Sequence, residues 1–288
     1  MNPIKNRIDF VAIISVNGAN PNGDPLSENI PRMDSLGFGE ISDVCIKHKI
    51  RNRLAAIAKE NGSASSGNDV LIVSADAGSG RAACISDKLA PYSKVPNDEK
   101  ADAICKAFRD VRSFGFLWAA KGGDETKGGL SIGIRGPVTV QTAKSVDRIT
   151  PDSMQITKCI SMDNKNGKRG SDTMGMKHHV DRAAYVIFGT CNAYLSEKTG
   201  FSDEDAEALK EALKTLFFCD ESAARPAGTM EVNELFWCES PSKMGSISSG
   251  AVFRSFDVTP KDEFPFYSVT IDQKKLDDAD IKVEHWLA

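Results

Sequence analysis

Residues Arg7 to Val16 carry Ile8, Phe10, Val11, Ile13, Ile14 and Val16 in one largely β-branched run, which reads as a buried strand. A buried strand needs partners, so the chain must build a sheet. Two basic residues precede the run, as in a secretory leader, but Asp9 lies inside it and Asn17 to Gly23 follows where small cleavage-site residues belong. No apolar stretch approaches the length needed to cross a bilayer. With 288 residues and 41 % hydrophobic side chains, a sizeable core is available to two domains or to one domain with large insertions. Seven cysteines, no two closer than 19 residues, form no CxxC pair for zinc or dithiol chemistry and read as reduced, cytoplasmic thiols.

Gly18 to Gly39 reads as a long loop around Asn20-Pro-Asn-Gly-Asp-Pro25. Ser42 then caps a helix whose Ile46, Ile50, Leu54 and Ile57 form one stripe. Lys47 and Arg51 flank that stripe on one side, Lys49 and Arg53 on the other. Val70 to Ser74 is predicted as a second strand. Residues 61–129 look inserted and hold one predicted helix, Asp98 to Ser113. A third strand runs from Leu130 through Val140. Ile156 to Met162 and Thr173 to Val180 form a predicted hairpin around Asn166-Gly167. Ala183 to Leu195 is a strand or a short buried helix. Ser202 with Asp205 opens a helix through Cys219, Glu231 to Cys238 is a strand, and the remainder is a weaker, strand-bearing acidic tail. The order strand, helix, strand, strand, helix, strand is the ferredoxin-like α+β plan of the RNA recognition motif.

Charge is divided unevenly. Residues 1–200 hold 27 basic against 22 acidic side chains, and residues 201–288 hold 9 against 18. The Val44 to Lys59 segment has Lys47, Lys49, Arg51, Arg53 and Lys59 without one acid, a polyanion signal despite the net charge of -4. The capped N-terminus of that helix, extended by Lys47 and Arg51, makes an anion site. On the hairpin, Met162, Met174 and Met176 interleave with Lys165, Lys168, Arg169 and Lys177, as wedges between bases would. His178 and His179 point to opposite strand faces and cannot share one ligand set; a phosphate or base contact from one of them fits better. Gly129-Leu-Ser-Ile-Gly133 matches a hydrolase elbow, yet Ser131 lies in an alternating strand followed by Arg135-Gly-Pro137, where no helix can start. No HExxH, phosphate-loop or dinucleotide motif is present.

Five stretches in order resemble one family. They are Asn20-Pro-Asn-Gly-Asp-Pro25, Ile41-Ser-Asp-Val-Cys-Ile-Lys-His-Lys-Ile-Arg-Asn-Arg-Leu54, Asp110-Val-Arg-Ser-Phe-Gly115, Met174-Gly-Met-Lys-His178, and Ser222-Ala-Ala-Arg-Pro226 with Met230-Glu-Val232. Across roughly residues 5–240 the chain resembles the backbone subunit of the type I-C CRISPR Cascade complex, of the RAMP superfamily. The resemblance implies an RNA-recognition-like palm, a finger insertion (61–129) and a thumb hairpin (156–180). It implies copies stacked head to tail along a crRNA that pairs with target DNA, beside other Cascade subunits, as a scaffold without catalysis; the residues themselves name no metal, cofactor or membrane segment. Ser42, Lys47 and Arg51 would hold guide phosphates, Lys49 and Arg53 would support them, Asn20 and Asn22 would line the groove, and Arg225 would sit near the palm. Where the family has a basic residue between Gly175 and Lys177, this chain has Met176, which favours the wedge role. Apart from the resemblance, the uneven charge predicts that Asp203, Glu204, Asp205 and Glu207 form an acidic back that meets the next copy. The rival reading is a metal-dependent ribonuclease like type III backbone subunits, with Asp34 in the loop before the basic helix.

Overall fold

The computed structural model describes residues 2–62, 66–73, 84–120, 130–157 and 174–288. Its main sheet has eight antiparallel strands. Ile8–Ala19 lies inside it, pairing with Met174–Cys191 on one side and with Met230–Glu239 on the other. Outward from Met174–Cys191 come Val138–Val140, Ala143–Arg148 and Pro151–Thr157, and Ala143–Arg148 also takes Phe38–Ile41. Lys282–Leu287 closes the other edge against Met230–Glu239.

Alternation along the first strand sends its side chains into two cores. Phe10, Ala12 and Ile14 pack under the helices Asp43–Glu60 and Asp203–Lys214, through Ile50 and Leu54 of the first and Leu209 and Leu213 of the second. Val11 and Ile13 pack on the opposite face with Phe236, Val252, Phe256, Tyr267 and Leu276. The predicted acidic tail is therefore a second covering layer. Its helix Ser249–Phe253, hairpin Phe256–Pro260 with Tyr267–Ile271, and helix Gln273–Asp278 turn apolar side chains inward. Asp9, the charge inside the opening run, is fully buried and accepts a 3.0 Å hydrogen bond from Nε of Arg7.

The inserted region departs most from expectation. Leu71 and Ile72 form no strand: their amides donate to the Asp110 carboxylate at 2.8 and 3.1 Å. The predicted helix Asp98 to Ser113 is two helices, Lys100–Ala107 and Arg109–Phe114, broken at Phe108 by an extended backbone that bridges to Asp69. The predicted third strand divides at Gly136-Pro137. Leu130–Arg135 pairs with Gly115–Ala120 in a separate hairpin, and Val138–Val140 joins the main sheet. A Cβ on Gly136 would come within 2.4 Å of the Gly115 nitrogen, so that crossing needs glycine. Leu71, Leu89, Ile104, Phe108 and Val111, with Trp118 and Ile134, give this region an apolar cluster of its own.

Smaller differences follow local chemistry. The Gly18 to Gly39 loop contains a ribbon, Gly23–Asp24 with Ile30–Pro31, around a 3₁₀ turn, Pro25–Ser27. Residues 174–191 are a single 18-residue strand, followed by the helix Ala193–Thr199. The Ser202 capping box is present, but its helix ends at Lys214. Among the described residues no helix is long and apolar enough to cross a membrane.

Candidate nucleic-acid interface

The basic helix begins where predicted because Ser42 Oγ accepts from the Cys45 amide at 3.2 Å. The Ser42 amide in turn donates to Asn22 Oδ1 at 3.0 Å, tying the Asn20 to Pro25 loop to the helix start. Ser42→Ala is expected to cost about 1 kcal/mol, read as a lower urea midpoint; an unchanged midpoint would contradict a stabilising cap. Asn20 itself is buried. Its Nδ2 donates to Asn29 O at 2.7 Å and its amide to Ala224 O at 2.9 Å, so it braces the Ser222 to Pro226 turn and cannot line a groove, a correction to the expectation.

The two flanks of the helix meet different neighbours. Lys47 pairs with Asp43 at 2.9 Å across one helical turn and stays partly exposed. Arg51 faces the inserted region: its Nε lies 3.3 Å from Asp110 Oδ2, its guanidinium 5.0 Å over the Phe114 ring, and its side chain is 13 % exposed. Burial raises the Asp110 pKa despite the Leu71 and Ile72 amides and the Arg51 charge beside it. Arg51 thus stands between the helix and the inserted region, its charge beside Asp110.

The other flank borders an open groove of about 700 Å³ between the helix and residues 216–225. His48, Asn52, Arg53 and Lys59 line one wall, with Phe218, Ser222 and Arg225 opposite. Lys49 sits at its base, 4 % exposed, pairing with Asp220 beneath the Phe217 ring. Burial lowers its pKa from the ordinary ammonium value against the pull of Asp220. Asp220 also takes Nε of Arg225 at 3.0 Å. Arg53 donates from Nε to Thr215 Oγ1 at 2.8 Å, and its guanidinium lies 5.7 Å over the exposed Phe218 ring. Glu60 and Glu221 also border the channel, but its three wall cations, Arg53, Lys59 and Arg225, with His48 and the exposed Phe218 ring, suit a single-stranded polynucleotide. Phe218 was missed because its neighbours Leu216 and Phe217 read as helix core.

Pro151–Thr157 pairs with Met174–Val180; of the predicted first strand, Ile156 to Met162, only Ile156 and Thr157 are among the described residues, and the Asn166-Gly167 turn lies outside them. Met162, Lys165, Lys168 and Arg169 lie outside the described residues. Met174 and Met176 are 63 % and 49 % exposed, so neither is core filler. Met154 and Ile156, on the opposite face beside the half-buried Lys177, are exposed as well, and sequence reading passed over them. His178 is buried, with Nδ1 2.8 Å from Ser153 Oγ, which corrects its expected phosphate contact.

Asp34, the residue of the rival ribonuclease reading, accepts from the Leu36 and Phe38 amides at 2.9 and 3.0 Å and from Lys144 Nζ at 2.7 Å. The Lys144 hydrogen bond holds its carboxyl below the usual range. Oδ1 thus holds a turn and Oδ2 an ion pair.

The profile described as CRISPR-associated protein Cas7 matches residues 6–284, well past the point near Ser240 where the sequence resemblance fades. A curated CRISPR-associated protein Cas7 from Haloferax volcanii is 24 % identical over 221 residues, covering 71 % of this chain and 62 % of its own length. The chain thus spans less than two thirds of that relative. A chain of a solved CRISPR RNA-guided surveillance complex has a TM-score of 0.50 and 14 % identity, covering 98 % of this chain and 89 % of that one, a likeness of fold. Since the profile spans nearly the whole chain, this protein belongs to the Cas7 family of CRISPR-associated proteins.

Proposed function

We propose that the chain is the RNA-binding backbone subunit of a type I-C CRISPR surveillance complex, working in the cytoplasm as a scaffold without catalysis. Copies stack head to tail along one crRNA and present it for pairing with target DNA, alongside the other subunits. The observation that carries this is the groove between the Asp43–Glu60 helix and residues 216–225, open to solvent and walled by His48, Arg53, Lys59 and Arg225.

In this reading Arg53, Lys59 and Arg225 hold phosphates, Phe218 stacks a base, and Lys47 contributes charge at the helix start. Lys49 shapes the groove from beneath and Asn20 braces the Ser222 to Pro226 turn behind it. Backbone contacts of this kind supply affinity and leave sequence to base pairing. The strand order Met230–Glu239, Ile8–Ala19, Met174–Cys191, then Val138–Val140 with Ala143–Arg148, under two helices on one face, supports an RNA-recognition-like palm. The Leu71 cluster supports a finger insertion within residues 61–129. Exposed Met174 and Met176 support a thumb hairpin over 156–180 that wedges between bases. The type I-C assignment rests on the five sequence stretches.

The test is the absorbance ratio and size of protein coexpressed with a cognate guide RNA. Nucleic acid should copurify in an assembly many times the 31.1 kDa chain. A clean monomer under those conditions would overturn the proposal.

A further inference from the structure

We propose that His179, Asp152 and Asp181 form a site for one divalent transition-metal ion of the zinc type at the foot of the hairpin. Asp152 lies directly opposite His179 in the antiparallel register, and Asp181 follows His179 by two residues, so all three side chains share one face. His179 Nε2 is 3.1 Å from Asp181 Oδ1 and 3.9 Å from Asp152 Oδ2. One ligand atom from each residue lies within 4.8 Å of the others. Two ligands held at about 2.1 Å by a tetrahedral ion stand about 3.4 Å apart, a spacing that the two measured separations bracket. Small side-chain rotations close the set.

Charge argues the same way. Among the described residues Asp152 and Asp181 make ion pairs with His179 and with no lysine or arginine. Two carboxylates facing one imidazole leave negative charge that a divalent cation would neutralise. Asp152 Oδ1 already accepts from the Ser153 amide at 2.8 Å, which fixes the carboxylate and leaves Oδ2 toward the histidine. The donor set of one imidazole nitrogen and two carboxylate oxygens suits zinc better than magnesium or calcium, which prefer all-oxygen shells. His178 plays no part, since it faces the other way toward Ser153. The bound ion would join two strands where they leave the main sheet, and water would complete its shell. This proposal stands whether or not the hairpin touches RNA.

The full chain, freed of nucleic acid and treated with chelator, would be titrated with Co²⁺ as a visible probe. The expected result is one equivalent bound with a visible ligand-field band, displaced by Zn²⁺, abolished in His179→Ala and weakened at least tenfold in Asp152→Asn. With Zn²⁺, amide exchange in residues 151–157 and 174–180 should slow in the parent protein and not in Asp152→Asn. No saturable binding, equal binding by either variant, or a near-ultraviolet thiolate band assigning the ion to a cysteine would each overturn the site.

Discussion

Arg112→Ala is expected to destabilise the fold by about 3–5 kcal/mol, the cost of stripping one partner from a buried ion pair. Arg112 and Asp205 are each only 1 % exposed. Nε of Arg112 donates to Asp205 Oδ2 at 2.7 Å and a terminal nitrogen to Oδ1 at 2.7 Å, a bidentate geometry. The same guanidinium holds Gly67 O at 2.6 Å and Asn68 Oδ1 at 2.8 Å. Asp205 closes the capping box of its own helix. The pair thus fastens the inserted region to the second helix of the main layer. Arg109, whose Nε lies 2.9 Å from Asp205, would remain as a partial partner.

This interaction also has a pH signature. Burial alone would raise the Asp205 pKa, but the hydrogen bonds and charges of Arg112 and Arg109 hold it below the ordinary aspartate value. A carboxylate whose folded pKa is depressed stabilises the fold fully above its unfolded value, near 4, and loses that contribution as pH falls through the folded one. Urea midpoints for the parent and Arg112→Ala should therefore differ widely at pH 7 and converge in stronger acid. Equal midpoints at pH 7 would contradict the clamp.

The local periodic signals were the legible ones. The Ser42 cap, the Ile46, Ile50 and Leu54 stripe, the opening strand and the Ser202 capping box all follow from spacing within one element. What sequence could not display is which distant group satisfies a polar atom. Leu71 and Ile72 have the apolar character of a strand, yet Asp110, nearly forty residues away, takes their amides. Asp205 counted as surface charge until Arg109 and Arg112 enclosed it, so of that acidic cluster only Asp203, Glu204 and Glu207 face solvent. The flanks of the basic helix were divided correctly, but periodicity does not say what each flank meets. Arg51 met a buried carboxylate and Arg53 met the groove. Covering of the back face by residues after Ser248 was hidden because the tail's alternation is short and interrupted by turns.

Reversal of roles between those flanks gives the second large effect. Arg53→Ala with Arg225→Ala removes two groove cations outside the Asp110 network. Each phosphate neutralised on a single strand contributes about 0.7 to the slope of log affinity against log salt. The double variant should therefore bind guide RNA more weakly for every spacer sequence, with a slope shallower by about 1.4. Arg51→Ala should lower stability and leave the slope unchanged, because its guanidinium serves Asp110.

That salt titration, run side by side on parent, Arg53→Ala with Arg225→Ala, and Arg51→Ala, is the most direct measurement of whether this channel holds an RNA backbone. The slope should fall only in the double variant, and equally for unrelated guides. A slope unchanged in the double variant, or lowered for some guides alone, would contradict it.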